Sequence, residues 1–194
     1  MNRSNQPSRL TPPGIITAIL LIQNMIPFLG NIPIPPLNPT IIHVTVIVVA
    51  LSMGMKDGMI AGLIWGLIRL FRAFAMPATP LDPLIWVNPI ITIVPRLLIG
   101  TTTVLTYQLL HNKVRNNKLS MGVASFIGSM TNTLLVMLFI YLFFNAEIGQ
   151  AMGIDASNLG YALLVIIVTS GLAEAVLAAV LAPIVVQALK RLRR

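Results

Sequence analysis

Six apolar runs, separated by short polar or proline-rich breaks, organise the chain. They lie at roughly 14–28, 40–55, 59–71, 90–110, 121–144 and 159–189 and predict six helices. A helix needs about 20 apolar residues to cross a hydrocarbon layer of about 30 Å. The runs at 40–55 and 59–71 fall short of that, so their ends are the least sharply defined. Residues 1–13 form a polar lead with Arg3 and Arg9. The first break, residues 30–39 (GNIPIPPLNP), holds four prolines and no charge, so it is not helical. Lys56-Asp57-Gly58 reads as a tight turn between the second and third runs. Residues 73–89 are a second proline-rich stretch, 111–118 a basic turn and 145–158 a polar segment.

The run at 90–110 differs from the others. Thr92, Arg96, Gly100, Thr103 and Tyr107 recur at steps of three and four, which puts a polar, small-residue stripe on one helix face. A charge at the depth of Arg96 costs about 2.5–3.5 kcal/mol on insertion scales, so its default reading is functional. Pro89 and Pro95 loosen the local backbone, which is tolerated within a membrane only where it is buried or lines a cavity.

Composition sets the class. Of 194 residues, 56% are hydrophobic and only 9% charged, against about 25% charged in a soluble domain. The chain is therefore read as one integral membrane domain, residues 1–194, all-α, with six transmembrane helices. A first span left uncleaved is expected, because no small-x-small cleavage site follows near Gly30. The net charge of +8 sits between the apolar runs, so topology explains it better than nucleic acid, and no nucleic-acid partner is expected. Arg3, Arg9, Lys56, Lys113, Arg115, Lys118, Lys190, Arg191, Arg193 and Arg194 fall on one side if both termini are cytoplasmic. Asp82, Glu147 and Asp155 then fall outside. Both proline-rich loops lie on that outer side, where they read as lids over a polar bundle interior. Arg69, Arg72 and Arg96 are left in the outer half; the first two are expected to snorkel to lipid headgroups.

Candidate site residues carry alternatives. Arg96 suits a bidentate clamp on a carboxylate, or else an ion pair with Glu174. Glu174, among small residues in SGLAEAVLA, accepts from a ligand or neutralises Arg96. Asn132 shares a face with Gly122, Ser125 and Ser129, and binds a ligand or bonds between helices. Thr92, Asn88 and Trp65 complete the candidate binding set, with Gln23 and Asn24 weaker. Trp65 and Trp86 stack on a ligand or anchor at an interface, the latter being the commoner use. Gly58, Gly62 and Gly66 form a face for packing within the bundle, whereas Gly14 and Ala18 suit contact with another membrane protein.

The chain lacks cysteine, a GxxxxGK[ST] loop and HExxH, and His43 and His111 are expected on opposite sides. No catalytic residue, metal site or cofactor is expected, and an enzyme is poorly supported. No inverted repeat of the secondary-transporter kind stands out.

The stretches GMKDGMIAGLIWGLIRL, PLIWVNPIITIVPRLLIG, GSMTNT and GLAEAVLAAVLAPIV together resemble the substrate-binding S component of energy-coupling-factor (ECF) vitamin transporters. The resemblance covers about residues 14–186 and is strongest around VPR, where it is most like the pantothenate-specific group. Groups for hydroxymethylpyrimidine, pyridoxine-type compounds and folate share similar stretches. The resemblance implies a six-helix plasma-membrane subunit that captures a vitamin. Its partners would be a transmembrane scaffold subunit and two ATPase subunits that supply energy. It also implies a docking face of Ala-xxx-Ala type on the first helix, matched in part by Gly14 and Ala18. A stand-alone ion-coupled transporter and a ligand-free regulatory membrane subunit are the readings from other classes.

Overall fold

Helices account for all the regular structure in the computed structural model, which describes residues 11–26, 30, 40–77, 79, 82–114, 116–143 and 146–192. They are α1 (Thr11–Met25), α2 (Ile42–Met53), α3 (Met55–Ala75), α4 (Pro89–His111), α5 (Asn117–Leu142), α6 (Ala146–Met152), α7 (Leu159–Ile166) and α8 (Leu172–Leu192). A π-helical turn at Asp82–Trp86 precedes α4, and another at Ile167–Gly171 joins α7 to α8 without a break. Among the described residues, four helices are long and apolar enough to cross a membrane: Met55–Ala75, Pro89–His111, Asn117–Leu142 and Leu159–Arg191. The apolar helices Gly14–Met25 and Ile42–Met53 are shorter. The lid stretch at 31–39 lies outside the described residues, as do Arg3, Arg9, Arg115, Arg193 and Arg194.

The expected turn at Lys56-Asp57-Gly58 is not there: those residues form the first turn of α3. The chain breaks instead at Gly54, whose φ of 107° and ψ of 177° suit only a residue without Cβ. Freed of that turn, α3 runs longer at both ends than its apolar run. The polar segment 145–158 likewise contains α6, whose Ile148 is buried against Ile85 and Leu159.

Apolar residues all round a helix signal burial on all sides. The sequence of α2 is of that kind, and Ile42–Val44 and Val46–Ala50 are buried. α2 thus forms the bundle's centre with Leu20, Trp65, Ile99, Met121 and Val186. Outward faces carry Ile60, Leu67, Phe71, Leu134, Leu138, Val176 and Val180, an apolar exterior suited to lipid rather than water.

Close approach of α3 and α4 follows from glycine. A Cβ on Gly58 would lie 3.2 Å from Gly100 Cα, and one on Gly66 3.0 Å from Thr92 O. The α3 glycines therefore pack within the bundle, as their spacing implies, and the stripe residue Gly100 supplies the facing notch. Asn88 caps α4, accepting from Ile90 N at 2.9 Å, with Pro89 in the first turn where no amide donor is missed.

Candidate functional site

Pro95 lacks the amide that would otherwise donate to the carbonyl of Ile91. Arg96 Nη1 takes that carbonyl at 2.6 Å, so the proline and the arginine next to it act together. The guanidinium is held inside the bundle, 5% exposed, with its centre 5.2 Å from the Trp65 ring and 4.9 Å from the Trp86 ring. Its Nε has no hydrogen-bond partner. Cation–π contact with two indoles offsets part of the desolvation cost but supplies no anion.

The expected alternative of an Arg96–Glu174 ion pair does not form among the described residues. Glu174 Oε1 accepts from Thr40 N at 2.7 Å, and its main-chain carbonyl lies 3.4 Å from His43 Nε2. Glu174 is thereby committed to the start of α2, where Thr40 Oγ1 and Ile41 N bond the Gly30 carbonyl and join the two ends of the proline-rich stretch.

Helix register places the remaining candidates. Gly128 of α5 faces the Thr103 hydroxyl, and the antiparallel α4–α5 pairing then sets Asn132 opposite Ile99. That is about 4.5 Å along the axis from Arg96, given a rise of about 1.5 Å per residue. Asn132 is buried and its Oδ1 has no partner; the same holds for Thr103 Oγ1, Ser129 Oγ and His43 Nδ1. Gly171 meets Thr133 and so sets α8 against α5, which puts Glu174 about half a turn beyond Asn132. From the Trp86 end inward the order is Trp65 with Arg96, then Asn132, then Glu174 with His43, then Ser129 and Thr103. Buried polar groups are normally paired, so the unpaired atoms of Arg96, Asn132, Thr103, Ser129 and His43 are what a polar ligand would satisfy.

Thr92 and Asn88 serve structure first. The Thr92 hydroxyl donates to Trp86 O at 2.7 Å, and the Asn88 oxygen is used by the cap. Gly14 and Ala18 are both exposed, and nothing lies within 4 Å of a Cβ built on Gly14. A groove of about 490 Å³ at the start of α5, between Lys118 and Ala179, is remote in register from Arg96.

Residues 8–186 match the family described as ECF transporter, substrate-specific component. The chain belongs to that family. It is similar to "Pantothenic acid transporter PanT" of Lactococcus lactis subsp. cremoris, with 30% identity over 190 residues, 92% of this chain and 91% of the relative. It is also similar to "Pantothenate transporter PanT" of Leuconostoc mesenteroides subsp. mesenteroides, with 30% identity over 166 residues, 80% of this chain and 79% of the relative. As an ECF substrate-specific component with four long apolar helices, it is a multi-pass membrane protein of a transport system, and its role in that family is substrate binding rather than catalysis.

Trp86, half-buried, sits beside Arg96 and Arg69. Two parts of this S component's site depart from the sequence expectation. Arg69 does not snorkel: its Nη2 donates to Asp82 Oδ1 at 2.8 Å. Arg72 does not snorkel either, since its Nη1 donates to the Asn24 carbonyl at the end of α1. Both arginines of α3 thus find partners within the protein, Arg69 in the π-helical turn and Arg72 in α1. Trp65 and Arg69 at i and i+4 were the available signal; nothing in the spacing of Arg69 and Asp82 announces their pairing.

Proposed function

We propose that this S component captures pantothenate and delivers it through an ECF module of one scaffold subunit and two ATPase subunits. The observation that carries the reading is Arg96: a buried guanidinium with a free Nε, no carboxylate partner among the described residues and an aromatic surround. Pantothenate offers a carboxylate, an amide and two hydroxyls. Arg96 suits the carboxylate by fork geometry, with Trp65 beside it. Asn132, and beyond it Thr103, Ser129 and Glu174, suit the amide and hydroxyls. The names of the two relatives point to the same ligand. The proposal includes six crossings with both termini cytoplasmic, the short helices α1 and α2 counting as two. α2 is about 18 Å long at 12 residues. Its start is tied to Glu174 inside the bundle, where non-helical backbone is sheltered by protein. Gly14 and Ala18 on the open face of α1 are the proposed contact with the scaffold.

The test is calorimetric titration of the purified subunit with pantothenate and with its uncharged alcohol, pantothenol. Pantothenate should bind tighter by on the order of ten- to a hundred-fold, the range of a lost charge-assisted hydrogen bond of about 1.5–3 kcal/mol. Arg96→Lys should fail nearly as badly as Arg96→Ala, because lysine keeps the charge and loses the fork. Equal affinity for the two ligands overturns the clamp. Tight binding of hydroxymethylpyrimidine or pyridoxine in place of pantothenate overturns the ligand.

A further inference from the structure

Trp86 ends the π-helical turn that begins at Asp82, and both guanidiniums of the site lie over its ring, Arg69 at 5.0 Å and Arg96 at 4.9 Å. Two cations over one indole repel each other. Asp82 offsets that conflict by pairing with Arg69. Its Oδ1 accepts from Arg69 Nη2 at 2.8 Å and from Thr79 Oγ1 at 3.1 Å, and its side chain is 2% exposed. Arg69 is rooted in α3, the helix locked to α4 by glycine contacts, whereas the chain passes from α3 to the turn through a sequence containing Pro77 and Pro80. Besides Arg69, the contacts of the turn include the Thr92–Trp86 hydrogen bond, the Asp82 N–Thr79 O hydrogen bond and Ile85 in a small apolar cluster with Ile91, Ile140 and Ile148.

We infer that the Arg69–Asp82 ion pair is a latch: it positions Trp86 over Arg96, and its opening sets the rate at which ligand reaches and leaves that guanidinium. The inference deepens the reading above, since it takes Arg96 as the ligand's partner. Neutralised by Asp82, Arg69 leaves Arg96 as the cation available to an incoming anion. A part-exposed arginine, 21% accessible in its side chain, can let go of a buried carboxylate without unpacking the core. Arg69 and Asp82 are thus positioning residues, and Trp86 is the group they place.

Two measurements test the latch, the first without any ligand. The chain has two tryptophans, so Trp65→Phe leaves Trp86 as the single fluorophore. In that background Asp82→Asn and Arg69→Gln should each raise acrylamide quenching of Trp86, and the charge-swapped pair R69D/D82R should restore protection. In the otherwise unaltered protein, the same single variants should speed release of labelled pantothenate by on the order of ten- to a hundred-fold. Affinity should fall by less, because entry also speeds up. Should those variants fail to fold, R69C/D82C serves instead, unambiguous in a chain without cysteine. Joined by a reducible bis-methanethiosulfonate linker, it should protect Trp86 and hold ligand, and reduction should release both. Quenching that is the same in folded single variants and wild type, or in bridged and reduced protein, overturns the latch. Absence of pantothenate binding by wild type overturns the ligand reading instead, and quenching still decides the latch.

Discussion

Gly62 of α3 faces the main-chain carbonyl of Arg96: a Cβ at position 62 would lie 2.1 Å from that oxygen. The contact is to backbone, so no side chain can swing aside. Gly62→Ala must push α3 away from α4, and with it Trp65 from the Arg96 guanidinium. Overpacking of this kind costs about 1–3 kcal/mol. Thermal unfolding should show a lower midpoint for Gly62→Ala, a smaller drop for Gly66→Ala, and none for Gly14→Ala, where the space is open. Equal effects at positions 62 and 14 would contradict the packing.

Pro95 and Arg96 share one carbonyl. Pro95→Ala restores an amide that can donate to Ile91 O and compete with Arg96 Nη1 for it. A proline inside a helix costs about 3 kcal/mol, so the variant should be no less stable than wild type. Its ligand affinity should fall nonetheless, because the guanidinium loses the acceptor that aims it. A matched pair of measurements, unfolding midpoint and titration, checks the opposite signs. A loss of stability together with affinity would mean that Pro95 serves packing alone.

Glu174 should matter through its oxygen more than through its charge. Oε1 accepts from Thr40 N, and glutamine keeps an oxygen at that place. Glu174→Ala leaves a buried amide without an acceptor, at about 1–3 kcal/mol. Glu174→Gln should therefore stay close to wild type in thermal stability, with Glu174→Ala clearly lower. Equal destabilisation by the two would restore the direct ion-pair role that the geometry does not give it.

Gly14 and Ala18 lie on the exposed face of α1, clear of the bundle. Leucine at both positions should leave ligand binding by the isolated subunit intact and reduce uptake by the whole transporter, since bulky side chains hold helices apart. Binding and uptake lost together would place the pair inside the fold rather than at a partner.

The sequence by itself determined the solvent and the elements. Long uncharged apolar runs can satisfy their backbone in lipid only as helices, so the all-helical membrane class follows from composition and period. It also singled out Arg96, because an intramembrane cation is costly enough to need a reason, and the small-residue face of α3, because glycine at every fourth position implies close approach. Local turn chemistry was less legible. Lys56-Asp57-Gly58 has turn composition, yet Gly54 is the residue whose backbone takes the conformation closed to other residues.

Tertiary structure decided which groups meet. Arg69 and Arg72 each had an adequate resting place at the interface, and only the packing of α3 against its neighbours offered Asp82 and the Asn24 carbonyl instead. Glu174 and Arg96 looked like natural partners by charge. The π-helical turn at Ile167–Gly171 and the buried start of α2 gave the carboxylate a main-chain donor at 2.7 Å and left the guanidinium without an acid. Trp86 comes to lie beside Arg69 and Arg96 for the same reason. Its place is fixed by residues thirteen or more positions apart in pairing, Arg69 with Asp82, and no periodicity within one helix encodes a contact between two.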